Sequence, residues 1–195
     1  MLQAAPVYPK LKREQSKDSH LLVIDPADIH IGKLATAFET GDAYDVKIAS
    51  DRVHEGVQGI LDKTSSFNID QILFIGGNDI LHTDNARRRT TSGTPQDTDG
   101  MWYENYLTAK DVIVEVLEKL ITVADVHYIH CPSNHDYVSG FFLSDVIKTW
   151  FHKNENITFD CSIAHRKYFL YGTNLIGATH GDGAKQNDLP LLMAE

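Results

Sequence analysis

An α/β fold built on a largely parallel sheet is what this sequence predicts, and two observations predict it. Short apolar runs rich in branched residues alternate along the chain with longer stretches whose apolar residues recur at helical spacing. Each of the first three runs is followed by a helix-length segment before the next begins, which is the spacing a parallel strand needs to return to the same sheet. In such sheets ligands sit in the crevice at the carboxyl ends of the strands.

The elements follow in order. Residues 1–20 carry Pro6 and Pro9, show no steady periodicity and read as a tail or linker. Leu21-Leu22-Val23-Ile24-Asp25 reads as a buried strand. Residues 44–63 read as a helix, with Val46, Ala49, Val53, Val57, Ile60 and Leu61 on one face. Ile72-Leu73-Phe74-Ile75 is a second buried strand, stopped by Gly76-Gly77. From Asn78 to Gly100 the chain is polar and rich in Thr, Asp and Arg; a loop this long inside a domain is often functional. A long helix is expected from about Trp102 to Ala124, a third strand at Val126–Cys131 and a third helix at 140–152. Strands are expected at 157–161, 166–171 and 174–179, and Leu189 to Glu195 reads like the start of another helix.

A chain of 195 residues suffices for one domain with a full core and is short for two. No apolar run approaches the roughly 20 residues of a membrane span, and no apolar stretch with a cleavage site follows the basic start. Two cysteines, Cys131 and Cys161, make no disulfide framework, so reduced thiols and a cytoplasmic location are expected. The formal charge of −9 argues against broad nucleic-acid binding by charge alone. Carboxylates gathered around cations would soften that argument, as would the local run Arg87-Arg88-Arg89.

The chemistry stands just after the strands. The first is followed by Asp28-Ile29-His30, the second by Gly77-Asn78-Asp79, the third by Ser133-Asn134-His135-Asp136, and a later one by Thr179-His180-Gly181-Asp182. Four strand ends thus offer carboxylate, imidazole or amide to one edge of the sheet. Residues two apart in extended chain share a side, so Asp28 and His30 can reach one ion. Oxygen and imidazole donors suit divalent transition metals without thiolate, and one carboxylate, Asp79, has two oxygens with which to bridge a pair.

In this order Asp-x-His, a Gly-Asp-like turn, Asn-His-Asp and a strand-end His-Gly resemble the calcineurin-like metallophosphoesterases, over about residues 21–182. The resemblance implies a layered α/β/β/α-type sandwich over 21–195, with the metal site at the carboxyl ends of the strands. It implies two divalent ions (Mn, Fe, Zn or Ni, with Mn favoured). Asp28 and His30 would hold the first, Asp79 would bridge both, and Asn134 and His180 would hold the second. His135 would be the general acid, with Asp136 holding its ring, and a metal-bound hydroxide the nucleophile. The activity implied is phosphoester hydrolysis, with a phosphodiesterase or nuclease preferred because the Arg/Thr loop can wall a groove for an extended substrate. The expected partners are a phosphoester substrate, with nucleic acid among the candidates, and a further domain or partner protein; a membrane is not among them.

Three departures from the family pattern stand out. Gly77-Asn78-Asp79 leaves the register of the bridging Asp open by one residue, and Ser133 stands where Gly commonly precedes Asn-His. The family's closing Gly-His-x-His motif is not in this sequence, so we expect a domain truncated at its C-terminal end. The rival reading is a non-catalytic interaction scaffold on the same fold. His82 and Asp84 lie near the proposed site as either substrate contacts or solvated loop, and Arg87-Arg88-Arg89 reads as a solvated face. The aromatics at 102, 103 and 106 read as core.

Overall fold

Consecutive residues of the second and third apolar runs turn to opposite faces of one sheet, each buried against something different, whereas the first run, expected to be buried, lies at the sheet edge with Val23 41% exposed. The structure, a computed structural model, describes residues 6–13, 18–183 and 185–194. Four strands, β1 (His20–Ile24), β2 (Ile69–Gly77), β3 (Asp125–Cys131) and β4 (Ile157–Asp160), pair in parallel in that order. Between them run α1 (Ala37–Thr40), α2 (Val46–Thr64), α3 (Trp102–Val123) and α4 (Tyr137–Trp150). Strands added always in the same direction, through right-handed crossovers, put every crossover helix on one face.

Ile72, Phe74, Val126 and Tyr128 accordingly pack with Ala49, Val53 and Val57 of α2, with Ile113, Leu117 and Leu120 of α3, and with Leu143 and Ile147 of α4. The alternate residues Leu73, Ile75, Ile129 and Cys131 face the other way. Against them lie Phe169, Ile176 and Ala178 of an antiparallel hairpin, β5 (Lys167–Tyr171) and β6 (Asn174–Ala178). A 3-10 turn at Gln186–Asp188 leads into α5 (Leu189–Ala194). The architecture is mixed α/β, a four-stranded parallel sheet with a small antiparallel one.

Element boundaries agree with the sequence reading within three residues, although the short α1 was not expected, and the shift at α4 has a physical cause. The helix expected from 140 starts at Tyr137, because its first turn is capped from outside. Asp84 Oδ1, on the loop after β2, accepts from Val138 N (2.9 Å) and Ser139 N (2.7 Å). A carboxylate on the free N–H groups of a helix start is a strong cap, and one supplied from 54 residues away leaves no local signature. By contrast α2 is capped locally, Asp45 accepting from Ile48 N at 2.7 Å.

Part of the segment read as a tail is docked. Tyr8 stacks on Phe151 with ring centroids 5.5 Å apart and donates to Glu118. Leu11 exchanges two backbone bonds with the Asn156 side chain, and Arg13 is bonded to Asp125 and to Ile121 O. Residues 1–5 and 14–17, which fall in the same segment, lie outside the described residues, as do Ala184 and Glu195. Both cysteines are free, and no described helix is long and apolar enough to cross a membrane.

Candidate metal centre at the strand ends

Where β1 and β2 end, the chains that leave them stay side by side. Asp28 N donates to Asn78 O at 2.8 Å, His30 N to Asp79 O at 2.9 Å and Ile31 N to Ile80 O at 2.7 Å. To do so Asp28, His30, Asn78 and Asp79 all take left-handed backbone angles, with φ of 56°, 49°, 53° and 61°. For a side-chain-bearing residue that conformation costs on the order of 1–2 kcal/mol, and four together mark a place the surrounding fold over-determines. Gly77, at φ 80°, makes the turn possible: a Cβ there would lie 2.1 Å from Cys131 O.

The turns bring the expected side chains together. Asp28 Oδ1 lies 3.6 Å from His30 Nε2, and the ligand atoms of Asp28, His30 and Asp79 all fall within 4.8 Å of one another. Asp79 Oδ1 accepts from His135 N at 3.0 Å, while its Oδ2 lies 3.4 Å from His180 Nε2. His180 Nε2 is 2.8 Å from Asn134 Oδ1. Asp79 therefore stands between the pair Asp28/His30 and the pair Asn134/His180, one oxygen toward the third strand end and one toward the fourth. Of Asn78 and Asp79, it is the Asp79 side chain that faces these groups; Asn78 turns away, donating to Asp25 Oδ1 at 3.0 Å.

Asp136 departs from the role the resemblance implied. It does not hold the His135 ring. It is fully buried, its Oδ1 accepting from Ser133 Oγ (2.5 Å) and its Oδ2 from Leu81 N (2.8 Å). Ser133 Oγ in turn accepts from Asp79 N at 2.9 Å. Asp136 thus ties the turn after β3 to the turn after β2, and Ser133 is the link between them. The His135 ring is held instead at Nδ1 by the His82 carbonyl, 2.9 Å away. A backbone carbonyl leaves no trace in the sequence, so this partner was not readable from it.

His82 belongs to the site and not to a solvated loop. It is buried, its ring lies 5.2 Å from that of His30 and 5.3 Å from that of His135, and its Nδ1 is 3.4 Å from His30 Nδ1. Its signal was the short spacing Asp79-x-x-His82, which matters only once Leu81 is drawn into the core and anchored by Asp136. Arg87 and Arg88 are exposed, and Arg89 donates to Gly93 O.

Burial sets the electrostatics. Desolvation, and then the neighbouring His135, pull the His30 pKa below that of an ordinary histidine. Desolvation followed by His30 and His135 pushes His82 down to about 4. Burial raises Asp25, and raises Asp136 to about 6. Imidazoles kept neutral keep a lone pair to donate. Neutral imidazoles and converging carboxylates, with thiolate absent from the set, fit a divalent cation of borderline hardness.

Comparison of the chain with protein-family models, with curated proteins and with solved structures gave no match.

Proposed function

We propose that this chain is a metal-dependent phosphoester hydrolase, a phosphodiesterase or nuclease on a layered α/β/β/α plan. One observation carries the reading: Asp28, His30, Asp79, Asn134, His135 and His180 converge from four strand ends on a strained double turn. Asp28, His30 and Asp79 would hold one divalent ion and Asp79, Asn134 and His180 a second, Mn²⁺ first among the candidates. Bound there, such ions supply Lewis-acid polarisation of a phosphoryl oxygen and an activated water.

The rest is done by this chain's own groups. The His82 carbonyl keeps the His135 Nδ1 proton in place, so the proton that travels is the one on Nε2. His135 gives it to the leaving ester oxygen and recovers one from solvent. His30 and His82, held neutral, do not compete as acids. Asp136 and Ser133 are positioning residues that fix Asp79 and Leu81.

Steady-state hydrolysis of bis-(p-nitrophenyl) phosphate and of a dinucleotide, with Mn²⁺ and with chelator, tests this. Activity should require the ion and vanish in Asp79→Ala. His135→Ala should lower kcat on the dinucleotide about 10²–10⁴-fold, the worth of a positioned acid. It should do much less on the nitrophenyl ester, whose leaving group departs as a stable anion. A folded protein inactive with every divalent ion would turn the reading to the interaction scaffold.

A further inference from the structure

We infer that the cavity between the starts of α3 and α4 is a subsite for a planar aromatic group carried by the substrate; this inference rests on the phosphoesterase reading of the neighbouring centre. The cavity holds about 350 Å³ and is walled by Trp102, Tyr106 and Phe142 over a floor of Ile31 and Leu81. Its floor is made by the two segments that carry the histidine cluster. Ile31 follows His30 in the chain, and Leu81 and Thr83, both lining the cavity, flank His82.

Trp102 and Phe142 are 50% and 56% exposed. The sequence reading placed Trp102 and Tyr103 in the core; instead both stand about half open to solvent at the start of α3. Large rings left half in water around a concavity mark a binding site more often than a packing fault. The volume lies at the low end of the roughly 300–1,000 Å³ of small-molecule sites, room for one ring system and not for an extended apolar chain.

The walls are preformed. Asp84 Oδ1 and Oδ2 bond the loop to Val138 N, Ser139 and Thr91, fixing the entrance to α4. Asn105 Nδ2 donates to Asp99 O at 2.9 Å and fixes the entrance to α3. Ala86, also in the lining, is followed by the exposed Arg87 and Arg88, cations suited to the anionic continuation of a substrate whose ring is seated. An aromatic group seated among Trp102, Tyr106 and Phe142 would use this lining, its polar end running past Thr83 and Asp84 along the segment that carries His82.

Two phosphonates that resist hydrolysis separate the ring from the head group: phenylphosphonate and methylphosphonate, each titrated with Mn²⁺ present. Their inhibition constants are measured against bis-(p-nitrophenyl) phosphate. Their binding is read independently by fluorescence in Trp150→Phe, which leaves Trp102 as the sole tryptophan. The inference expects phenylphosphonate to bind about tenfold or more tightly, the usual worth of one stacked ring, with a saturable change in Trp102 emission. Phe142→Ala, and Ala86→Trp as a cavity-filling variant at an exposed position, should bring the ratio close to one. Equal binding of the two phosphonates by an enzyme that hydrolyses the diester would overturn the subsite and leave the hydrolase reading standing. A Trp102 response to the ring in a protein without hydrolysis would do the reverse. A ratio unmoved by Phe142→Ala, with a changed sedimentation coefficient, would overturn the subsite in favour of a contact with a second copy of the chain.

Discussion

Replacing Ser133 by Ala should destabilise the fold by about 3 kcal/mol or more, although it removes a single oxygen. That oxygen is 2% exposed by residue and makes two bonds. It accepts from Asp79 N at 2.9 Å and donates to Asp136 Oδ1 at 2.5 Å. Alanine leaves the buried Asp79 N–H without a partner, which costs about 1–3 kcal/mol, and removes a bond to a carboxylate worth about 1.5–3 kcal/mol. Ser133→Gly should be worse by about 0.5–1 kcal/mol, because glycine adds backbone entropy to the unfolded chain. The assay is urea unfolding at neutral pH, reading the midpoint at constant m; in melting temperature the loss is about 6–12 °C for a chain of this size. A loss below about 1 kcal/mol with m unchanged would refute the idea that Ser133 links the two turns.

Stability should also fall as the solution is acidified, in part through His130, whose burial lowers its pKa to about 4 from 6.5. The folded state keeps this imidazole neutral while the unfolded chain takes up a proton below about pH 6.5. Its share of stability is therefore whole above pH 6.5 and lost progressively toward pH 4, about 3 kcal/mol in all. His130→Gln should flatten that part of the slope in unfolding midpoints measured from pH 4 to 7, and an identical slope in both proteins would contradict the assignment. Asp84→Ala should cost about 1–2 kcal/mol by uncapping α4, with faster amide exchange at Val138 and Ser139; unchanged exchange there would argue against the remote cap. Gly77→Ala should leave little folded protein on circular dichroism, since its Cβ would sit 2.1 Å from the Cys131 carbonyl oxygen, and a native-like spectrum would show that the turn can relax.

The sheet was legible because its two central strands are buried on both faces. Ile72-Leu73-Phe74-Ile75 is apolar at every position, since even and odd residues serve different cores. The helices were legible because they bury only one face, so Val46, Ala49, Val53 and Val57 keep a helical period. The donor residues stood out because each follows a strand directly. What escaped was long-range or carried by the backbone. The Asp84 cap on α4, the Ser133–Asp136 link and the His82 carbonyl on His135 each join residues about 50 positions apart or 3 apart across a turn. The family resemblance made Asp136 the holder of the His135 ring, yet burial takes its carboxylate the other way, toward Leu81 N. The docking of Tyr8 and Leu11 escaped for the same reason, its partners Glu118, Phe151 and Asn156 being over a hundred residues on.

Side chains from four strand ends should form one cation-binding centre with Asp79 at its middle. Equilibrium dialysis of Mn²⁺, with the free ion counted by electron paramagnetic resonance, tests it most directly in the wild-type chain and in Asp79→Ala. Two bound ions per wild-type chain are expected, and the loss of both in the folded variant. An unchanged count in Asp79→Ala, or no bound Mn²⁺ in a folded wild-type chain, would contradict it.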